Sequence, residues 1–362
     1  MIPLRLPAET DGIDHPFVVR LNAIGLHGDT EHDALLRHMD GDALEFSVGP
    51  ARLRIRNAPP EELDGDVLLV VPQRRVAHRL LRAGSDHNTL LVTERCDQLC
   101  VMCSQPPKEH HVDFFDHFEI AAALAPPEAV IGISGGEPTL YKDRLFRFLD
   151  RVLSVRPDLG FHILTNGQHF EAGDAGSLAS FPRDQVAWGI PLYSSAASTH
   201  DAIVGKPGAF GRLMDTFPIL ARAGATIELR TVVLASNVDG LPDLARMLSA
   251  HLPFVGTWAI MQLENIGFAR RDWDRLFFDN SLEFGPIGAA VDTAQARGMR
   301  PLLYNFPLCT VPEPYRHLAP PTISDWKRRY LPSCAPCPAR LGCGGFFEWY
   351  PDERGFRRVG LQ

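Results

Sequence analysis

From residue 89 to residue 304 the chain alternates short apolar runs with stretches of helical length, and few folds are built that way. The apolar runs fall at 89–94, 128–134, 160–165, 186–193, 226–234, 255–262 and 300–304. Helical patterns fill the gaps at about 114–125, 141–154, 169–180, 208–223, 239–251 and 282–298. Strands alternating with helices of this length pair in parallel through right-handed crossovers. The pattern predicts an α/β fold, a partial (β/α)6 TIM-like barrel; an open Rossmann-like sheet is the alternative that periodicity does not separate. Residues 1–88 read differently. Residues 43–48 and 51–56 alternate like half-buried strands, and Asp64-Gly65 suits a turn before the apolar run 67–71. The expected organisation is a mostly β N-terminal region over 1–88, the barrel over 89–304, and a C-terminal extension over 305–362. That extension is rich in Pro, Cys and aromatic residues with little periodicity, so a metal group is its natural organiser.

All seven cysteines fall into two groups, 96, 100, 103 and 309, 334, 337, 343. A secreted disulfide scaffold is shorter and scatters its cysteines. Cys96, Cys100 and Cys103 form CxxxCxxC directly after the first barrel strand, at the end of the strand where α/β barrels bind ligands. Three thiolates so spaced can each take one iron of a [4Fe–4S] cubane and leave the fourth iron open. The plain alternatives are a zinc site or three unrelated thiols. Zinc wants four ligands, and no fourth Cys or His stands at standard spacing, although His110 and His111 are near. Cys309, Cys334, Cys337 and Cys343 supply four more thiolates, which a zinc knot or a fully ligated cluster would use equally. The net charge of −8 comes without a basic stripe, which argues against a nucleic-acid partner. No apolar run approaches the ~18 residues of a membrane span, and the start lacks a signal-peptide pattern. The expectation is a soluble cytoplasmic protein.

The later strand ends carry their own residues. Gly135 and Gly136 permit close backbone approach to a ligand, Glu137 can accept from an amine, and Pro138 follows. The third strand ends Thr165-Asn166-Gly167, and the fourth ends Tyr193-Ser194-Ser195. Arg230 lies inside the apolar fifth strand, where it must be paired or functional. The sixth ends Gln262-Leu263-Glu264. Singly, each reads as a turn, a cap or an ion pair. In this order, CxxxCxxC, Gly-Gly-Glu-Pro and Thr-Asn-Gly resemble the radical S-adenosylmethionine (SAM) superfamily. The resemblance implies SAM chelating the open iron, with reductive cleavage to a 5′-deoxyadenosyl radical that takes a hydrogen from substrate. It places Gly135, Gly136, Glu137 and Pro138 at the SAM amino group, Asn166 in the SAM-binding set, and Ser194 at the ribose. Arg230 would face the carboxylate or ribose, Gln262 the adenine, and Met102 would stand where the family commonly has an aromatic residue. Glu264 and Tyr193 are the candidates for the catalytic, substrate side.

The C-terminal motifs narrow the likeness. Residues 305–309, 323–327, 334–343 and Gly344-Gly345-Phe346-Phe347, together with 100–108, resemble the His-Xaa-Ser-system radical SAM maturases, which carry a SPASM/Twitch-like extension. This covers about residues 60–350. It implies an auxiliary [4Fe–4S] cluster on Cys309, Cys334, Cys337 and Cys343. It also implies a ribosomally made precursor peptide as substrate, a second radical SAM protein as partner, and an electron donor such as flavodoxin or ferredoxin. A radical SAM enzyme acting on a small metabolite is the rival, and a non-enzymatic Fe–S or zinc redox module is the rival of a different class.

Overall fold

The computed structural model describes residues 2–28 and 30–360. Strands β1 (Arg5–Asp11), β2 (Phe17–Asn22), β3 (Asp33–Asp40), β4 (Ala43–Val48), β5 (Ala51–Arg56), β6 (Val67–Val71) and β7 (Val76–Leu81) close into a barrel in the order β1-β5-β4-β3-β2-β6-β7. Period-2 alternation does the sorting. In β5, Leu53 and Ile55 are buried while Arg52, Arg54 and Arg56 face outward and pair with Glu45, Asp40 and Asp42. Strand β6 is buried throughout. A buried ion pair lies here: Arg79 meets Asp66 at 2.6 Å and donates to the carbonyls of Glu62 and Pro3.

The second sheet contains β8 (Asn88–Thr93), β9 (Val130–Gly135), β10 (Gly160–Leu164), β11 (Val186–Pro191), β12 (Thr226–Val232), β13 (Thr257–Met261) and β14 (Arg300–Tyr304). Its order is β14-β13-β12-β11-β10-β9-β8, with parallel pairing from β11 through β14. The order never reverses, so there is no switch point and the doubly wound Rossmann alternative falls away. The architecture is the mixed α/β, barrel-like sheet that the alternation predicts. Helices Phe115–Ala123, Lys142–Val155, Ala175–Ser180, Ala209–Ala223, Leu241–His251 and Gly285–Ala296 fill the crossovers.

Two differences have physical causes. The helix expected over 169–180 shrinks to a 3-10 turn and Ala175–Ser180. Arg212 holds the carbonyls of Gln168 and Phe170 at 2.8 and 2.9 Å, which pins that stretch as a tucked loop. An additional helix, Ala197–Val204, follows β11 and ends on Gly205 in the left-handed conformation. Beyond β14 the described residues have short turns and one antiparallel pair, β15 (Arg328–Arg329) with β16 (Phe346–Phe347). Phe346, Tyr350 and Phe356 form a small aromatic cluster there.

The chain divides into two compact units. One runs through Val92 and takes in Val112–Ser134 and Asp143–Phe161; the other takes Thr93–His111, Gly135–Lys142 and the chain from His162 onward. Among the described residues, no helix is long and apolar enough to cross a membrane.

Candidate functional site

The CxxxCxxC loop leaves the carboxyl end of β8 and is pinned at alternate residues. Gly136 N–H donates to the Thr93 carbonyl at 2.8 Å, and Glu137 N–H to the Arg95 carbonyl at 2.7 Å. Leu99 and Val101 N–H donate to the carbonyls of Val204 and Ile203 at 3.0 and 2.9 Å. Phe268 N–H closes the far end on the Cys103 carbonyl at 2.9 Å. The approach is close enough to demand glycine. A Cβ on Gly136 would stand 2.1 Å from the Arg95 carbonyl oxygen, and one on Gly267 (φ +57°) 2.2 Å from that of Cys103. The remaining pin is a side chain. Asp97 accepts from Asn166 Nδ2 at 2.8 Å and from Lys206 Nζ, and His169 Nε2 lies 3.2 Å from the same oxygen as Lys206. Burial would raise its pKa; the contacts with His169, Lys206 and Asn166 outweigh burial and hold it well below the usual carboxylate range. Sequence reading assigns no role to Asp97, His169, Lys206 or Gly267, because their partners come from distant parts of the chain.

Cys96, Cys100 and Cys103 are free, half-buried thiols. Burial pushes Cys96 up to about 11, with Glu137, Asp97 and Cys103 adding negative charge. Burial and the two neighbouring thiols push Cys100 up to about 12. A cationic metal group bound by these thiols would reverse the electrostatic part of those shifts. Among the described residues, no three Cys, His, Asp or Glu side chains already stand as a ligand shell. The fit to a three-thiolate cluster therefore rests on free thiols carried by one pinned loop. His111 stacks on Tyr141, with ring centroids 4.1 Å apart.

Glu137 is wholly buried. Its Oε1 accepts from Thr139 N–H at 2.8 Å, Thr139 Oγ1 at 2.5 Å and Thr165 Oγ1 at 2.6 Å, while Oε2 accepts from Asn166 N–H at 2.5 Å. The carboxylate ties the end of β9 to the end of β10. What this motif turns toward the cysteine loop is the backbone of Gly135 and Gly136, with Pro138 buried behind it. Asn166 spends its side chain on Asp97 and on the Gln168 N–H. Ser194 Oγ accepts from Ala196 N–H at 3.0 Å. Gln262 is buried and bonded to Asn280 and to its neighbour's Leu263 N–H. Met102 and Tyr193 are buried in one apolar cluster with Trp273, and the ring of His200 stacks on Tyr193. Glu264 sits just past β13, 3.5 Å from Lys327 Nζ, with its pKa raised by burial.

Arg230 proves to be paired on its own strand: its Nη1 donates to Glu228 Oε1 at 2.5 Å. Tyr304 donates to the other oxygen at 3.0 Å, and His162 lies 3.3 Å away. These side chains come from β10, β12 and β14, the alternate-strand layering of closed α/β barrels, here polar instead of apolar.

In the C-terminal stretch, Cys309, Cys334, Cys337 and Cys343 all line one hollow, together with Leu308, Phe346 and Tyr330. Cys343 Sγ accepts from Leu308 N–H at 3.4 Å and Gly345 N–H at 3.3 Å, the backbone cradle a thiolate ligand uses. Burial raises the Cys309 thiol, and Cys343 and Cys334 add to the shift.

Comparison with known proteins agrees with this arrangement. Residues 90–248 match the radical SAM superfamily. The AdoMet-dependent heme synthase of Methanosarcina barkeri (strain Fusaro / DSM 804) is 26% identical over 171 residues, 44% of this chain and 46% of the relative. The chain thus aligns with less than half the length of that protein. Streptococcus suis SuiB bound to S-adenosylmethionine superposes with a TM-score of 0.48 at 14% identity, over 59% of this chain and 49% of that one. A radical SAM methyltransferase from Sphaerobacter thermophilus gives 0.45 at 15% identity, over 74% of each chain. Both scores are below 0.5, and neither bears on what this chain acts upon. The superfamily match begins within β8 and takes in the cysteine loop, the Glu137 hub and Arg230: the chain carries a radical SAM domain.

Proposed function

We propose that this chain is a radical SAM peptide maturase, cleaving SAM to a 5′-deoxyadenosyl radical and modifying a ribosomally made precursor of the His-Xaa-Ser type. The observation that carries the enzymatic part is the CxxxCxxC loop, pinned at strand ends with its three thiols free. A bound [4Fe–4S] cluster would supply the electron and an open iron for SAM. The protein's own residues do the rest. Cys96, Cys100 and Cys103 hold the cluster, and Gly135 and Gly136 offer backbone to SAM. Met102, Asn166, Ser194, Arg230 and Gln262 shape the surroundings, the last three through side chains locked by internal hydrogen bonds. Tyr193 and Glu264 are the substrate-side candidates. Burial raises the Glu264 carboxyl against the lowering effect of Lys327, the direction that suits a group handling a proton.

The four-cysteine hollow supports an auxiliary cluster as structural support or electron acceptor, and its apolar walls suit an iron–sulfur group as well as zinc. Functionally the chain then divides at 1–88, 89–304 and 305–362, and works in the reducing cytoplasm with a flavodoxin or ferredoxin donor and a second radical SAM protein. The peptide part rests on the resemblance of the C-terminal motifs. A small metabolite is the second reading, favoured by the likeness to the AdoMet-dependent heme synthase.

The test is anaerobic reconstitution with SAM, then mass spectrometry of a co-expressed His-Xaa-Ser precursor, with wild type and with the Cys96→Ala, Cys100→Ala, Cys103→Ala triple variant. 5′-Deoxyadenosine from wild type alone, with a triad-dependent mass change in the peptide, is the expected result. No 5′-deoxyadenosine sinks the enzyme; 5′-deoxyadenosine with an unmodified peptide sinks the substrate.

A further inference from the structure

We infer that Asp97 is a positioning residue for the first cysteine, set by Lys206, His169 and Asn166 so that the loop keeps its shape before and after a cluster is loaded. The inference rests on the reading of Cys96, Cys100 and Cys103 as cluster ligands. Five places on the loop, at Thr93, Arg95, Leu99, Val101 and Cys103, are held through backbone hydrogen bonds. Asp97 stands at the centre of that series, next to Cys96, and is held through its side chain instead. Its two oxygens divide the work. Oδ1 takes Asn166 Nδ2 at 2.8 Å, from the loop after β10, while Oδ2 takes Lys206 Nζ, with His169 Nε2 3.2 Å away.

Placing a carboxylate here has a cost. It stands beside Cys96, where its charge joins those of Glu137 and Cys103 in opposing negative charge on that thiol. Lys206 offsets that charge at Oδ2, so the pin adds little net charge beside the thiols. The anchor is itself anchored. Lys142 Nζ holds the His169 carbonyl at 3.0 Å and Asp174 at 2.7 Å, fixing the loop from which His169 and Asn166 reach. A carboxylate hydrogen-bonded to two separate segments, with His169 close by, is more than a surface ion pair requires.

The experiment compares wild type, Asp97→Ala, Asp97→Asn and Lys206→Met after anaerobic reconstitution. The readouts are iron and sulfide per chain, the SAM-induced change in the reduced-state EPR spectrum, and the melting temperature of the apo form. The SAM-induced change reports only a cluster with an open iron, so an auxiliary cluster does not mask it. Asp97→Ala and Lys206→Met should each lose several-fold in first-cluster loading and broaden or shift the SAM-dependent signal, with apo melting nearly unchanged. Asp97→Asn, which keeps an acceptor oxygen, should fall between. Wild-type loading and spectrum in Lys206→Met overturn the inference, even if Asp97→Ala fails to fold. A wild type with no SAM-responsive cluster would instead overturn the function proposed above.

Discussion

The residue that most changes meaning between sequence and structure is Glu137. From its motif it reads as a ligand for an amine; in the fold its two oxygens accept four hydrogen bonds from Thr139, Thr165 and Asn166 with no surface exposed. Glu137→Gln tests which role dominates. With its amide oxygen kept toward the three Oε1 donors, glutamine turns an NH2 toward the Asn166 N–H, and one buried donor is left unpaired. The expected cost is about 1–3 kcal/mol of apo-protein stability, read as a lower urea midpoint. A residue serving SAM alone would leave that midpoint where it was. Gly267 makes a second prediction. Alanine there must adopt φ +57° and bring its Cβ to 2.2 Å from the Cys103 carbonyl oxygen, whereas alanine at Gly298 meets φ +78° with nothing within 4 Å. Gly298→Ala should cost about 1 kcal/mol from the left-handed backbone alone. Gly267→Ala adds a steric term of about 1–3 kcal/mol, and it alone should reduce iron loading. Equal iron content in the two variants would refute the idea that Gly267 seats the loop.

At the scale of elements, the polar layer from β10, β12 and β14 sets an acid limit. Burial raises the Glu228 carboxyl, but His162 and Arg230 outweigh it and bring it down to about 2 from 4.5. A carboxyl depressed in the folded state contributes stability above its unfolded pKa and loses it as pH falls through the folded one. Wild type should therefore exceed Glu228→Gln by on the order of 3 kcal/mol at neutral pH. The gap should close between about pH 4.5 and 2. Melting temperatures of both proteins across that range measure it, and a gap that stays constant would remove Glu228 from the account. This layer also shows what the chain disclosed in one dimension. The strands after residue 88 were legible because each is a short apolar run between helices. In the first barrel, β4, β5 and β6 alternate or run apolar and were legible too, while β1, with a proline and three charges in seven residues, carries no such pattern. The three cysteines announce themselves by spacing. Asp97 meets Asn166 and Lys206 across 69 and 109 residues, and Arg230 finds Glu228 two residues away on its own strand face; neither leaves a local motif.

At the scale of the whole molecule, the two cysteine groups sit in very different supports, and that difference is measurable. The CxxxCxxC loop is pinned by backbone hydrogen bonds from residues 136, 137 and 268, and through its own donors to Ile203 and Val204, so much of its order exists without metal. The stretch from 305 to 360 has one two-residue strand pair, single turns and a small aromatic cluster around Phe346, Tyr350 and Phe356. So little regular structure leaves many backbone amides open to exchange, and four ligands to one cluster would cross-link the segment at Cys309, Cys334, Cys337 and Cys343. Hydrogen–deuterium exchange of apo and reconstituted protein, read by mass spectrometry under anaerobic conditions, should show strong protection on loading over 305–360. The gain over 93–104 should be modest, and β1–β7 should not change, because that barrel closes on its own apolar core. Substituting Cys334 and Cys337 with serine should abolish the C-terminal protection and leave the SAM-dependent spectrum of the first cluster in place. Protection that survives those substitutions would mean the tail is ordered by its aromatic cluster, and the four thiols would lose their claim to an auxiliary cluster.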